Sequence, residues 1–221
     1  MFKVKNLTVK NFLSVGNVTQ AIDFARQDLT LVLGENLDLG GDDSGARNGT
    51  GKTTIANALS YALFGAALTN IKKDNLINKT NAKNMLVTVD FEHGGNEYRI
   101  ERGRRPTLLK FYVNDVERVE ESEENADESQ GDSRETQKEI EQILGIGHDM
   151  FKHIIALNTY TEPFLSLRAA DERNIIEQLL GITLLSEKAE KLKEQIKDTK
   201  DLISQEEYKI KATEEANERI K

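Results

Sequence analysis

Apolar and polar residues alternate along Phe2-Lys3-Val4-Lys5-Asn6-Leu7-Thr8-Val9, which predicts a half-buried strand. A turn-rich connector follows at 11–17, then a second strand over 19–24. The continuous apolar run Leu29-Thr30-Leu31-Val32-Leu33 predicts a strand buried on both faces. The period then turns helical: Ile55, Leu59, Ala62 and Leu63 share a face over 53–64, and Gly65 ends the run. Alternation returns over 85–92, Gly94-Gly95-Asn96 supplies a turn, 97–102 reads as the returning strand and 108–113 as a third. Residues 135–144 predict a helix stopped at Gly145, 149–157 a second helix or the approach to a strand, and 158–165 a loop. From Asp171 onward only Gly181 interrupts a helical pattern.

The last of these patterns has its own period. From Leu185 the positions Ala189, Leu192, Ile196, Thr199, Ile203, Glu206, Ile210, Thr213, Asn217 and Ile220 fall at alternating steps of four and three, a heptad seam. Glu and Lys flank it, as suits a solvated coiled coil. A seam this long needs a partner to cover it. Because Arg219-Ile220-Lys221 carries no helix stop signal, the natural chain is expected to continue. Two domains are expected: 1–170, an α/β lobe with an acidic, flexible loop at 117–133, and 171–221, the start of a coiled coil.

Composition narrows the setting. Net charge is -8, so contact with nucleic acid requires a local basic patch. Charged residues make up 31% of the chain and mean hydropathy is -0.55, more polar than an ordinary globular domain and in keeping with a long solvated helix. Cysteine is absent, which removes disulfides and thiolate metal sites and fits a cytoplasmic location. No apolar run approaches membrane-spanning length, and no membrane partner is expected. The basic stretch at 71–79 reads as solvated surface.

The chemistry concentrates in Arg47-Asn48-Gly49-Thr50-Gly51-Lys52-Thr53-Thr54, set between an apolar run and a helix. That context makes it a phosphate-binding loop. Gly49 and Gly51 let backbone N–H groups point inward, Lys52 reaches the β- and γ-phosphates, and the Thr53 hydroxyl suits Mg²⁺. The first glycine of the motif is replaced by Ala46, and 35–44 looks inserted. Its Gly/Asp composition reads as a surface bulge, since carboxylates beside a triphosphate repel it. Val87-Thr88-Val89-Asp90 superficially suggests the Mg²⁺-holding strand of such enzymes, but its alternation and following turn mark a hairpin edge. No apolar strand ending in Asp-Glu follows, and neither a Leu-Ser-Gly-Gly-type signature nor a switch histidine is found; His93, His148 and His153 read as surface or filler.

A phosphate loop running into a coiled coil, without the acidic half, resembles the N-terminal part of SMC-family ATPases, and most closely the SbcC-like subunits of recombination nucleases of the T-even phage type. The similarity runs through Leu7-Thr8-Val9-Lys10-Asn11-Phe12-Leu13-Ser14, the phosphate loop, the hairpin Val89-Asp90-Phe91-Glu92 to Tyr98-Arg99-Ile100-Glu101-Arg102, the Q-loop region 151–165 and the coiled-coil entry 172–182. Leu13 stands where many such ATPases carry a basic residue. The resemblance implies an α/β P-loop NTPase fold, the N-terminal lobe of an ABC/SMC-type head, with an antiparallel β-hairpin region and a coiled-coil helix. It implies ATP at Asn48, Gly49, Gly51, Lys52, Thr53 and Thr54, and Mg²⁺ at Thr53 and at Asn158, which takes the Q-loop glutamine's place with a side chain one methylene shorter. It further implies a C-terminal lobe of the same chain bearing the acidic site, a homodimer through ATP-bound heads, an SbcD-like metallophosphoesterase nuclease as partner, and double-stranded DNA ends as substrate. No catalytic residue is expected within 1–221. Arg99, Arg102, Arg104, Arg105 and Lys110 are candidates for a DNA-facing surface. The competing expectation is a structural clamp of the SMC or RecN kind, with no nuclease attached.

Overall fold

The computed structural model describes residues 2–26, 28–36, 49–118, 128–157 and 162–220. The chain divides into two units, Met1–Glu172 and Arg173–Lys221.

In the first unit six antiparallel strands form one sheet: β1 (Lys3–Lys10), β2 (Gln20–Asp23), β3 (Met85–His93), β4 (Asn96–Arg104), β5 (Leu108–Val113) and β6 (Val116–Glu117), in the order β2-β1-β3-β4-β5-β6. The hairpin was legible in the alternation, but β3 is an interior strand, paired with both β1 and β4, and not an edge. Alternation survives there because only one face of the sheet is covered. The register slips between Val4 and Asn6, where a bulge carries the apolar side chains from Val4 to Leu7 without leaving the covered face.

The covered face carries Leu7, Val9, Val87, Val89, Phe91, Ile100 and Phe111, all buried. Helix α1 (Lys52–Phe64) contributes Ala58, Ala62 and Leu63 to the same core, and α2 (Glu128–Leu144) contributes Ile140 and Leu144. Each large apolar side chain buried here is worth about 1.5–3 kcal/mol. Phe91, Tyr98 and Phe111 stack across three adjacent strands, with ring centroids 5.0 and 5.8 Å apart. That ladder pins the register, since a one-residue slip would send every ring to the solvent side.

Two expectations need correction. The run 29–33 is not a buried strand: it joins no sheet, and Leu29, Leu31 and Leu33 are 101%, 78% and 70% exposed. A strand buried on both faces needs neighbours on each side, and none of the described strands lies beside it. At the ends of the range 117–133 expected as an acidic loop, Glu117 belongs to β6 and α2 already starts at Glu128. The remainder, 119–127, lies outside the described residues.

After α2 a short helical turn, α3 (His148–Met150), continues as a π-helical turn, Phe151–Ile155. Helix α4 (Ala169–Leu179) and the 38-residue α5 (Thr183–Ile220) follow, separated at Gly181, whose φ of 65° no β-branched residue would adopt readily. On α5 the seam residues Leu185, Leu192, Ile196, Ile203 and Ile210 are all exposed.

Candidate nucleotide-binding site

Residues 49–54 lead directly into the N-terminus of α1. Gly49 and Gly51 take φ of 75° and 87°, the left-handed region where a Cβ is costly. Gly51 is the N-cap, and it brings no side chain to the first turn of the helix. The first turn also holds no acidic residue. The Thr54 N–H turns back to the Gly51 carbonyl at 3.0 Å, and the N-cap makes no side-chain hydrogen bond to the helix start. A helix start of this kind presents backbone N–H groups and its positive dipole end to an anion. Lys52, exposed, adds its ammonium, which donates to the Thr50 hydroxyl at 3.2 Å. Backbone donors, a dipole end and a mobile cation in one turn suit a phosphate.

The site opens onto a groove of about 810 Å³ between the β1–β2 connection and the helix start. Its walls include Ser14, Asn17, Glu35, Asn36, Gly49 and Thr54. Four of these, Ser14, Asn17, Glu35 and Asn36, were not among the expected site residues. Ser14 lies 3.0 Å from the Thr54 hydroxyl, oxygen to oxygen, and ties the 11–16 turn to the first turn of α1. Glu35 and Asn36 bring the end of the 29–36 segment to the groove. Beside them Gly34 packs so closely on Thr50 that a Cβ there would overlap its side chain and lie 2.7 Å from its Cβ. The signals were present, a polar residue after the Asn-Phe turn and a glycine after an apolar run, but neither fixes a contact with a residue so far along the chain.

The turn that offers Ser14 is held by asparagines. Asn11, buried and at φ 51°, donates to the carbonyls of Lys83 and Asn84 at 3.0 and 3.2 Å and accepts from Asn81 at 2.8 Å. Asn78 donates to the Leu13 carbonyl at 2.9 Å. Asparagine suits such a position because it tolerates left-handed backbone and offers a donor and an acceptor together. Helix α1 is fixed along its length. Asn57 donates to the Thr53 carbonyl at 3.1 Å and accepts from the Leu68 N–H at 3.0 Å. Ser60 donates to the Ala66 carbonyl at 2.8 Å, so its oxygen accepts the Nε2 proton of His148 at 3.1 Å. Burial holds the His148 imidazole below its ordinary pKa.

The structure thus brings Gly49, Gly51, Lys52, Thr53 and Thr54 together, with Thr53 exposed in the first helical turn. Asn48, Ala46 and Asn158 lie outside the described residues, and so does most of the inserted segment. Asp90 faces away from the covered side of the sheet and pairs with Arg99 at 2.7 Å. Among the described residues there is no group of three or more His, Asp or Glu side chains suited to a metal. No described helix is long and apolar enough to cross a membrane.

Comparison with known proteins gives the same picture. The family model described as "AAA domain" matches residues 6–221. The chain is 34% identical over 188 residues to exonuclease subunit 2 of Enterobacteria phage T4, covering 84% of this chain and 30% of that protein. It is 29% identical over 192 residues to the DNA double-strand break repair Rad50 ATPase of Methanococcus maripaludis, covering 86% of this chain and 17% of that one. The chain therefore spans about a third or less of the length of these curated relatives. Among solved structures, the Smc head domain with an extended coiled coil from Pyrococcus furiosus, bound to the C-terminal domain of ScpA, superposes with a TM-score of 0.58 over 93% of this chain and 48% of that one, at 19% identity. The fold is that of a P-loop ATPase head running into a coiled-coil helix. The chain belongs to the AAA-domain family, and within it to the SbcC-like, SMC-family ATPases of the phage type.

Proposed function

We propose that this chain is the nucleotide-gripping, N-terminal part of the ATPase subunit of a nuclease complex that processes DNA ends for recombination and repair. The observation that carries the reading is the Gly49–Thr54 turn: two left-handed glycines, a lysine and a helix start with no side-chain cap and no acidic residue in its first turn. Asn48, Gly49, Gly51, Lys52, Thr53 and Thr54 hold the triphosphate of ATP. The Thr53 hydroxyl and the Asn158 amide oxygen are the residues that would hold Mg²⁺, which when bound neutralises phosphate charge. What this chain does is bind and orient: backbone N–H groups and Lys52 fix the phosphates, and Ser14 keeps Thr54 in place.

Hydrolysis needs groups this chain does not supply. A second lobe, returning along the coiled coil, brings the acidic Mg²⁺ site and the catalytic glutamate. The uncovered apolar run 29–33 and the exposed seam on α5 support that reading, because both are surfaces that water alone serves poorly. Two heads close on ATP because the closed state binds it better, and closure gates DNA and an SbcD-like metallophosphoesterase nuclease. Co-purification from cells expressing both partners tests this. A stable complex with such a nuclease is expected; an ATP-binding protein that never retains one would be the clamp-like alternative instead.

A further inference from the structure

The far end of α1 carries a second concentration of positive charge. A groove of about 400 Å³ lies between the C-terminal turn of α1, the end of β4 and the side of α2. Lys73, Arg102, Arg104, Arg134 and Lys138 line it, over an uncharged floor that includes Tyr61. No carboxylate is among its described lining residues. Arg104 is paired, with Asp74 at 2.6 Å. The other four cations have no ion pair among the described residues.

Arg102 explains how a helix C-terminus tolerates an anion site. It donates to the Ala62 carbonyl at 3.1 Å and to the Gln137 amide oxygen at 2.5 Å, and lies 6.0 Å from the Tyr61 ring centroid. Both hydrogen-bond acceptors are neutral, so the guanidinium keeps its full charge while covering the negative end of the helix. Burial lowers its pKa to about 10, and it remains cationic at neutral pH. Burial and then the charges of Arg102 and Arg104 depress the Lys73 ammonium.

The opposite face of the sheet provides the contrast. Arg99 is matched by Asp90 at 2.7 Å and Asp115 at 3.7 Å, and Lys110 by Glu117 at 3.1 Å. The basic residues that looked like one surface in the sequence thus divide. Those on the solvent face are neutralised by carboxylates. Under α2, Arg104 is paired with Asp74, whereas Arg102 has no ion pair among the described residues.

We propose that this groove is a second oxyanion site, about 20 Å from the Gly49–Thr54 turn along α1, that binds phosphate groups. If the DNA-processing reading holds, the source is a backbone phosphodiester; the same chemistry also accepts free phosphate. Cations that contact phosphates carry no base readout, so binding is sequence-independent and salt-sensitive.

The test uses the intact protein carrying Lys52→Ala, which removes the first phosphate site. Fluorescence polarisation reports a labelled 30-base-pair duplex, and thermal unfolding in sodium phosphate against sodium chloride of equal ionic strength reports free phosphate. The triple variant K73Q/R134Q/K138Q changes exposed side chains and spares Arg102 and Arg104; circular dichroism and melting without phosphate verify its fold. R99Q/K110Q is the control. Duplex affinity is expected to fall about tenfold or more in the triple variant, with the slope of log affinity against log salt flatter by about 2 to 3, and to stay unchanged in the control. Loss of phosphate-specific stabilisation with unchanged duplex affinity would assign the groove to free phosphate and still support the site. Equal behaviour of the triple variant and its parent in both measurements, including no binding by either, overturns it. Lys52-dependent ATP binding is measured separately, so the two readings fail independently.

Discussion

At the scale of single residues, the site depends on positions that touch the phosphate turn without belonging to it. Gly34 is one. A methyl group there overlaps the Thr50 side chain, and relief requires either the 29–36 segment or the turn itself to shift. Gly34→Ala is therefore expected to weaken ATP affinity about tenfold, measured by calorimetry, because one misplaced donor costs on the order of 1.4 kcal/mol. Unaltered affinity would mean the segment yields and the turn does not. The glycines inside the motif were legible in the sequence because their spacing is a known phosphate-binding pattern. Gly34 and Ser14 were not, since their importance comes from contacts made only once strand, turn and helix have assembled.

At the scale of elements, helix α1 joins the two functional ends of the first unit. Its start presents donors, its middle is tied through Ser60 to His148, and its end is covered by Arg102. The His148 link makes a pH dependence. Burial is the main cause of its lowered pKa, opposed by Asp149 and reinforced by Lys152. As the pH falls, the unfolded imidazole takes up its proton first, near pH 6.5, so the folded state loses stability from there down through the lower folded pKa. The stability that neutral His148 contributes is present above pH 6.5. Denaturant unfolding at pH 7 and pH 5 is expected to show a smaller difference for His148→Gln than for the parent protein. An equal difference in both would remove His148 as its source. Elements with a clear period, such as α1, the β3–β4 hairpin and α5, were readable because local pattern and burial agree. The run 29–33 was misread because its pattern describes a strand whose neighbours are not among the described ones.

At the scale of the whole molecule, apolar side chains of 29–33 and of α5 remain exposed. On the function proposed above, a second lobe covers the exposed residues of 29–33 and the α5 seam. On that account, ATP turnover by this chain alone is expected at the background rate in a phosphate-release assay. Rapid turnover would show that the acidic half is not needed. The central claim is narrower, namely that the turn at Gly49–Thr54 grips a triphosphate. Isothermal titration of ATP into the parent protein and into Lys52→Ala tests it most directly: saturable binding by the parent and none by the variant is the expected result, and equal binding by both, or none by the parent, would contradict it.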